Sequence, residues 1–135
     1  MNLDLSPNSS VTVRSSTPEA LEVEASYAPH GSAPPAHFHP HQDEHFEVLA
    51  GSMTTLVDGR ERVLETGDTI DIPAGTVHQM WNAGEVPARM TWRTTPGGRT
   101  LEWFQALDAF TRDGDGAKLG VAVHEYRDVF KLAED

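Results

Sequence analysis

The stretch GSAPPAHFHPHQDEHFEVLAG, residues 31–51, decides the fold. It joins a loop rich in proline and glycine to runs that alternate in polarity, and it carries four of the seven histidines of the chain. A group of histidines and acids this dense is typical of a metal site or of a solvated charged turn. Which reading applies depends on which of these side chains share one face of a strand.

The first run of the stretch predicts a short strand that carries two histidines on one face. Side chains two residues apart on a strand point to the same side of the sheet, so His37 and His39 share a face. Pro40 cannot donate a hydrogen bond to a strand ladder, and proline within sheets is confined to edges, strand starts and bulges. We therefore assign His41 to the turn that follows.

The second run of the stretch predicts a strand with one inward carboxylate. Glu44, Phe46 and Val48 alternate with His45 and Glu47, so the two sets point to opposite faces. If Glu44 points towards His37 and His39, His45 and Glu47 point away. Parity thus reduces the crowded group to three candidate ligands.

A fourth candidate ligand lies in GDTIDIPAGTVHQMWN, residues 67–82. His78 follows a Pro-x-Gly turn, and Met80 and Asn82 share its face. Three imidazoles and one carboxylate form a mixed nitrogen and oxygen donor set that suits divalent Fe, Mn, Co, Ni or Zn. Four protein ligands also leave octahedral positions open, as metal catalysis requires.

The remainder of the first 96 residues has the pattern of an all-β protein. Residues 1–18 are rich in Ser, Thr, Asn and Pro, and we expect a loose arm with one short strand at residues 11–14. Asp58-Gly59 between two alternating runs predicts a tight hairpin turn of the primed type. Strand patterns separated by turn signals every eight to twelve residues or so are typical of a sandwich or barrel.

Two helical patterns follow residue 98 and predict two C-terminal helices. The first covers residues 99–114 and ends at a glycine, and the second covers residues 118–135. Each places its apolar side chains on one helix face, and we expect the aromatic residues of the first to bury against the outside of the barrel or cap its mouth. The apolar positions are Trp103, Phe104, Leu107 and Phe110 in the first pattern, and Leu119, Val123, Tyr126, Phe130 and Ala133 in the second.

Composition limits the classes of partner. The 135 residues suit one domain, and a formal net charge of -11 disfavours nucleic acid and anionic membrane surfaces as partners. Cysteine is absent, which excludes disulfides and thiolate ligands and fits a cytoplasmic location. We expect no secretory signal, because residues 1–13 lack a basic segment and an apolar run.

The two motifs together resemble those of the cupin superfamily, in particular its small single-domain bacterial members with the conserved cupin 2 barrel. A lone His-x-His pair is weak evidence, but here every position of both motifs is filled, in order and with the family's spacing. The first motif corresponds to Gly31, His37, His39, Glu44 and Gly51, and the second to Gly67, Pro73, Gly75, His78 and Asn82.

The resemblance implies a small jelly-roll β-barrel that holds one divalent transition metal ion per chain, namely Fe, Mn, Ni, Co or Zn. The implied ligands are His37, His39, Glu44 and His78. Glu44 is also the candidate catalytic base, provided that a substrate proton lies within hydrogen-bonding reach. A set of inward side chains, more often simply core in a barrel, is our candidate substrate pocket: Phe46, Met80, Met90 and Trp92.

Two functions from different classes are compatible with this site. The first is a metal-dependent enzyme, oxygenase-like, that acts on a small organic molecule, since similar four-ligand cupins include flavonol and diketone dioxygenases. The alternative is a non-catalytic module that binds or senses a small ligand. Cupins of this size also commonly pair, so we expect a homodimer.

We therefore predict an all-β fold in three parts. Residues 1–18 form an N-terminal arm that is exchanged between the partners of the dimer, residues 19–96 form the barrel, and residues 97–135 form a helical extension of the same domain.

Overall fold

The protein consists of two antiparallel sheets and two helices. The computed structural model describes residues 1–114 and 116–133. The strands and helices are β1 (Asn2–Ser6), β2 (Ser9–Ser16), β3 (Leu21–Tyr27), β4 (His37–Phe38), β5 (Asp43–Ala50), β6 (Met53–Val57), β7 (Arg60–Leu64), β8 (Thr69–Ile72), β9 (His78–Trp81), β10 (Ala88–Thr95), α1 (Thr100–Asp113), α2 (Gly116–Glu125) and β11 (Lys131–Leu132).

The two runs within residues 31–51 belong to different sheets, on opposite sides of the barrel. One sheet has the order β1-β2-β3-β10-β5-β8, and the other has the order β11-β4-β9-β6-β7. Thus β4 and β5 are consecutive in sequence but belong to different sheets, and the turn between them carries the chain across. The prediction of an all-β jelly roll followed by two helices is confirmed.

The predicted hairpin turn is confirmed between β6 and β7. Asp58 and Gly59 have φ angles of 50° and 81°, and the flanking pair Val57 and Arg60 lie opposite each other in the ladder. Positive φ at both central residues is the mark of a type I′ turn, whose twist matches that of the strands it joins. The turn sets the register of the outer hairpin of the five-stranded sheet.

One face of the six-stranded sheet carries both hydrophobic clusters of the protein. Val23, Trp92 and Phe46 are direct cross-strand neighbours and therefore share this face. The five-stranded sheet covers its β10-β5-β8 half, and the helices cover its β1-β3 half. The buried members are Phe46, Val48, Met53, Leu64, Ile72, Ala88 and Met90 under the first cover, and Leu3, Val11, Leu21, Val23, Ala25, Trp103, Phe104 and Val129 under the second.

The first helix has the predicted extent, but its aromatic side chains pack in a different place from the outside of the barrel. It runs to Asp113, and Gly114 closes it in the left-handed conformation at φ 68°, which glycine adopts without steric cost. Trp103 and Phe104 are 4% and 2% exposed. They pack beside the barrel interior, on the inner face of the long sheet, rather than on the outside of the barrel.

The prediction for the second helix was wrong in its length. Helix α2 ends at Glu125, residues 126–129 form turns, and Lys131–Leu132 form a strand that pairs with β4. Hydrogen bonds to another strand and an ion pair from Arg99 to Asp128 outweigh the local helical pattern. The last two residues of the predicted extension and residue 115 lie outside the described residues.

The expected strand at residues 11–14 lies within β2, but the residues around it do not form a loose arm. The first residues form two strands, β1 and β2, which pair with each other, and β2 also pairs with β3. Leu3 and Val11 lie opposite each other and are 6% and 1% exposed, so the hairpin is part of the core. Exchange of this segment between partners and the homodimer itself stay predictions. Within the described residues, no helix is long and apolar enough to cross a membrane.

Candidate metal centre

Three histidines converge at one end of the barrel, between the two sheets. His37 on β4 lies directly opposite His78 on β9, and His39 follows the end of β4. One ring nitrogen from each of these three residues lies within 4.8 Å of the others. Glu44 approaches the group from β5 in the opposite sheet.

Each of the three imidazoles has its Nδ1 atom engaged by a backbone carbonyl. A carbonyl oxygen only accepts hydrogen bonds, so each Nδ1 must carry the proton, and each neutral ring then presents the lone pair of Nε2. This arrangement is typical of metal-binding histidines, whose second nitrogen is usually held by a hydrogen bond. The Nδ1–O distances are 3.2 Å from His37 to Pro35, 2.6 Å from His39 to Val129 and 2.9 Å from His78 to Thr76.

Glu44 faces two of these lone pairs with a single oxygen. Its Oε1 atom lies 3.1 Å from Nε2 of His39 and 3.2 Å from Nε2 of His78. Its Oε2 atom accepts a 2.7 Å hydrogen bond from Nε1 of Trp92. The Glu44 side chain is 1% exposed, so water does not screen the approach of Oε1 to the two nitrogens.

The donor set fits a cation better than it fits a metal-free arrangement. Nε2 of His39 and Oε1 of Glu44 are buried and have no hydrogen-bond partner of good geometry among the described residues. Two acceptors facing each other at 3.1 Å repel unless a proton or a metal ion lies between them. Metal–ligand bonds of about 2.0–2.2 Å place neighbouring donors about 3 Å apart, which is close to the 3.1 and 3.2 Å between Oε1 of Glu44 and Nε2 of His39 and His78.

The pKa values of the group respond to burial and to one another. Burial, together with neighbouring His78 and His39, lowers the pKa of His37 to about 3, so this ring is neutral over the whole physiological range. Burial also opposes charge on His39, but the carboxylate of Glu44 outweighs it and raises the pKa of His39. For Glu44, the two histidines outweigh burial and hold the pKa well below its usual range.

The four predicted pocket residues all lie along the barrel interior. Phe46 and Met90 are 3% and 0% exposed, and Met80 and Trp92 pack against the same cluster. Trp92 also stacks near Phe46, with 5.4 Å between the ring centroids. Their contact with a ligand stays a prediction.

Tyr27 is an interior residue that the sequence analysis missed. It packs against both hydrophobic clusters, and burial, followed by the charge of Glu44, raises the pKa of its hydroxyl. Its parity with Leu21, Val23 and Ala25 on β3 was the signal that could have identified it, because alternate residues share a face.

The remaining polar residues of the opening stretch lie away from the three nitrogens. His41 is exposed in the turn before β5. His45 points to the other side of the long sheet, where its Nδ1 lies 2.7 Å from Oδ1 of Asp71, and the two side chains are 45% and 78% exposed. Glu47 lies on that same face, opposite Thr69.

The motif glycines and Asn82 hold the loops around the site. The amide of Gly31 donates a 2.7 Å hydrogen bond to the carbonyl of Asn82, and a Cβ at residue 31 would lie 3.0 Å from that oxygen. The side-chain amide of Asn82 donates to the carbonyls of Val86 and Tyr27 at 2.9 and 3.3 Å. Asn82 therefore has a structural role at the end of β9, as its position in the second motif suggested.

Curated proteins match part of the chain. The tetracenomycin polyketide synthase protein TcmJ of Streptomyces glaucescens is 28% identical over 85 residues, which cover 59% of this chain and 57% of that protein. Quercetin 2,3-dioxygenase of Bacillus subtilis is 37% identical over 68 residues, which cover 50% of this chain and 20% of the enzyme. The matches thus span less than two thirds of the length of these relatives.

A solved structure extends the likeness of fold to three quarters of the chain. KdgF from Halomonas sp. superposes with a TM-score of 0.68 at 22% identity, covering 75% of this chain and 90% of that one. A family model described as a cupin domain matches residues 23–93, just over half of the chain. That range includes strands β4 to β9, from both sheets, and all four predicted ligands, and the chain therefore belongs to the cupin family.

Proposed function

We propose that this protein is a metal-dependent enzyme of the oxygenase type that acts on a small organic molecule. Its metal ion is held by His37, His39, Glu44 and His78. The observation that carries the proposal is the grouping of one ring nitrogen from each of three histidines within 4.8 Å, together with the buried Oε1 atom of Glu44, which lies 3.1 and 3.2 Å from two of them. Cupins typically bind a transition metal at such a site.

The ligand chemistry indicates the class of ion. Neutral imidazoles and a carboxylate suit a divalent transition metal, so we propose one Fe, Mn, Ni, Co or Zn ion per chain. The chain has no cysteine, so ions that require thiolate are disfavoured. When bound, such an ion supplies a Lewis acid that polarises substrate oxygen and, for Fe, Mn, Ni or Co, redox chemistry as well.

Glu44 is the residue that we propose for proton transfer. Its two neighbouring histidines hold the pKa of its carboxyl well below the usual range, so in this environment it is a weak base. It would therefore accept a proton only from a substrate hydroxyl whose own pKa is lowered, as that of an enol or a phenol would be beside a metal ion. The Trp92 indole keeps its second oxygen in place while Oε1 acts.

The barrel interior supports an apolar or aromatic substrate. Phe46, Met80, Met90 and Trp92 provide aromatic rings and thioethers next to the polar group, and ligand pockets typically combine such walls with a few polar groups. The relatives also support this class, since one is a quercetin 2,3-dioxygenase and another a tetracenomycin polyketide synthase protein. We therefore place phenolic and enolic molecules first among the substrates to test.

A second candidate function is a non-catalytic module that binds or senses a small ligand. The observation that favours it is the short match to the dioxygenase, of which the aligned segment covers only 20%. A sensor would keep the same metal ligands and pocket but would not turn over its ligand.

Two measurements on the untagged protein test the proposal. Elemental analysis after aerobic and after anaerobic preparation should find close to one transition metal ion per chain, and its absence in both would refute the metal centre. Oxygen uptake should then be followed with flavonols and diketones, each after loading with Fe, Mn, Co or Ni. Turnover supports the oxygenase, whereas tight binding of a flavonol without oxygen uptake in any loaded form supports the sensor.

A further inference from the structure

The C-terminal segment, residues 126–133, supplies a hydrogen-bond acceptor to a proposed metal ligand. The carbonyl oxygen of Val129 lies 2.6 Å from Nδ1 of His39, across 90 residues of sequence. This bond fixes the tautomer and the orientation of the His39 ring. For the other two histidines the equivalent acceptor lies two residues away in sequence, at Pro35 and Thr76, so of the three Nδ1 atoms that of His39 alone is bonded to a distant part of the chain.

The same segment also covers a second proposed ligand. The ring of Phe130 stacks on that of His37, with 4.8 Å between centroids and an interplanar angle of 26°. On its other side it stacks on Trp103 of α1, also at 4.8 Å. The His37 ring therefore has one face against an aromatic wall rather than against water, and burial of this kind is the main cause of its low pKa.

Backbone pairing holds the end of the segment against the histidine-bearing strand. Lys131 and Leu132 of β11 lie opposite Phe38 and His37 of β4, and the amide of Ala133 donates a 2.9 Å hydrogen bond to the carbonyl of Ala36. This ladder is short and lies at the edge of its sheet. On its own it is a weak attachment, since so few hydrogen bonds close it.

Arg99, the residue before α1, forms hydrogen bonds to the start of the C-terminal segment. Its Nε and Nη2 atoms donate to the two carboxylate oxygens of Asp128 at 3.0 and 2.6 Å, and Nη2 also donates to the carbonyl of Glu125 at 2.6 Å. The guanidinium carbon lies 4.7 Å from the centroid of the Tyr126 ring. A bidentate arginine–carboxylate pair with added carbonyl and ring contacts has a far more specific geometry than an ordinary surface ion pair.

From these contacts we infer that the C-terminal segment is part of the metal centre and that Arg99 is the positioning residue that keeps Val129 and Phe130 against His39 and His37. The inference rests on the proposed metal site. Arg99 touches neither ligand and acts through the segment. When the hydrogen bonds of Arg99 are lost, the C-terminal segment can detach. Its detachment exposes the His37 ring and removes the hydrogen-bond acceptor from His39.

The chain offers a matched control at the other end of α1. Arg112 donates to Asp108 at 3.0 Å and is 63% exposed, so Arg112→Gln removes an arginine–aspartate pair from α1 without touching the C-terminal segment. Arg99→Gln removes the ion pair with Asp128 that holds the C-terminal segment. Phe130→Leu is a second, independent variant, because it keeps an apolar side chain but removes the stacked ring.

The experiment loads each protein with Co²⁺ and follows its removal by excess EDTA through the visible absorption of the bound ion. We expect Arg99→Gln and Phe130→Leu to release cobalt about tenfold faster than the unmodified chain, the lower end of the range for loss of groups that support metal ligands. We also expect the cobalt spectrum of Arg99→Gln to change in shape, while that of Arg112→Gln keeps the shape seen in the unmodified chain.

Three results would overturn the inference. Release of cobalt from both variants at the unmodified rate would show that the segment does not support the ligands. Equal acceleration in Arg112→Gln would show a general weakening of α1. Failure of the unmodified chain to take up cobalt would refute the proposed metal centre itself, and the inference with it.

Discussion

The indole nitrogen of Trp92 donates a 2.7 Å hydrogen bond to Oε2 of Glu44, the carboxylate oxygen that faces away from the histidines. The two residues come from adjacent strands of the long sheet, with Trp92 opposite Phe46 and Glu44 opposite Thr94. The bond occupies one oxygen and leaves Oε1 to face His39 and His78. It therefore favours a carboxylate that binds a metal through one oxygen only.

Replacement of Trp92 by phenylalanine should weaken the metal site without removing a ligand. The variant leaves a buried carboxylate oxygen without its donor, which costs about 1.5–3 kcal/mol for a bond to a charged group. We expect metal affinity to fall by about tenfold, as measured by titration calorimetry with Mn²⁺ or Co²⁺. The free energy of unfolding of the metal-free chain should fall as well.

Trp81→Phe is the control for this change. Trp81 lies on β9 with the opposite parity to His78, so its ring faces away from the site. Metal affinity in this variant should equal that of the unmodified chain. Equal losses in the two variants would show that the indole bond to Glu44 has no special part in metal binding.

Strand parity gives a second prediction, on which histidines bind the metal. His78→Ala removes a lone pair from the converging group, and we expect metal content after purification to fall to a small fraction of its usual level. His45→Ala removes a half-exposed ring that pairs with Asp71 on the other face of the sheet, and metal content should not change. Elemental analysis of both variants measures this, and a loss in His45→Ala as large as that in His78→Ala would refute the parity argument.

The parts of the site that local pattern determines could be predicted from the sequence. Alternation alone placed Glu44, Phe46 and Val48 on one face and His45 on the other, because the side-chain period of a strand is two. The Asp58-Gly59 turn was predicted for a similar reason, since few residues tolerate positive φ at both central positions. The four proposed ligands follow from the spacing of two motifs.

The parts of the fold and the site that depend on pairing between distant segments could not be predicted from the sequence. Phe130 continues the apolar spacing of α2, so the sequence pattern assigned it to a helix face. In the structure its ring lies on that of His37 instead. Two contacts hold it there: the hydrogen bonds between β11 and β4, and the ion pair between Asp128 and Arg99. Tertiary contacts commonly override a local helical pattern of this kind. The β1–β2 hairpin had a weak signal of its own, since Leu3 and Leu5 alternate before a Pro-Asn turn.

The buried histidines give a prediction on pH for the metal-free chain. The ordinary pKa of His37 is 6.5 and burial lowers it to about 3 in the folded chain, so between these values the unfolded chain binds a proton that the folded chain does not. The free energy of unfolding should therefore fall as the pH drops through this window. Glu44, whose pKa is held below its ordinary 4.5, adds to the loss at the acid end.

His39 acts in the opposite sense and makes the loss smaller. Its pKa is raised above 6.5, so its contribution to stability is present below that pH and disappears as the pH rises through its folded value. Urea unfolding of the metal-free chain and of His37→Gln, from pH 7 down to pH 3, measures the balance. The variant should show a shallower dependence on pH, and equal slopes would contradict a buried, neutral His37.

The N-terminal hairpin provides the last prediction, which tests whether the first residues belong to the core. Val11 is 1% exposed and lies opposite Leu3 on one side and Ala25 on the other. Val11→Ala deletes buried methyl groups and leaves a cavity, so we expect the free energy of unfolding to fall by about 2 kcal/mol. Val63→Ala makes the same substitution where the side chain is 51% exposed, and its effect should stay within about 0.5 kcal/mol. Denaturant unfolding compares the two, and equal small effects would show that the hairpin detaches from the sheet in solution.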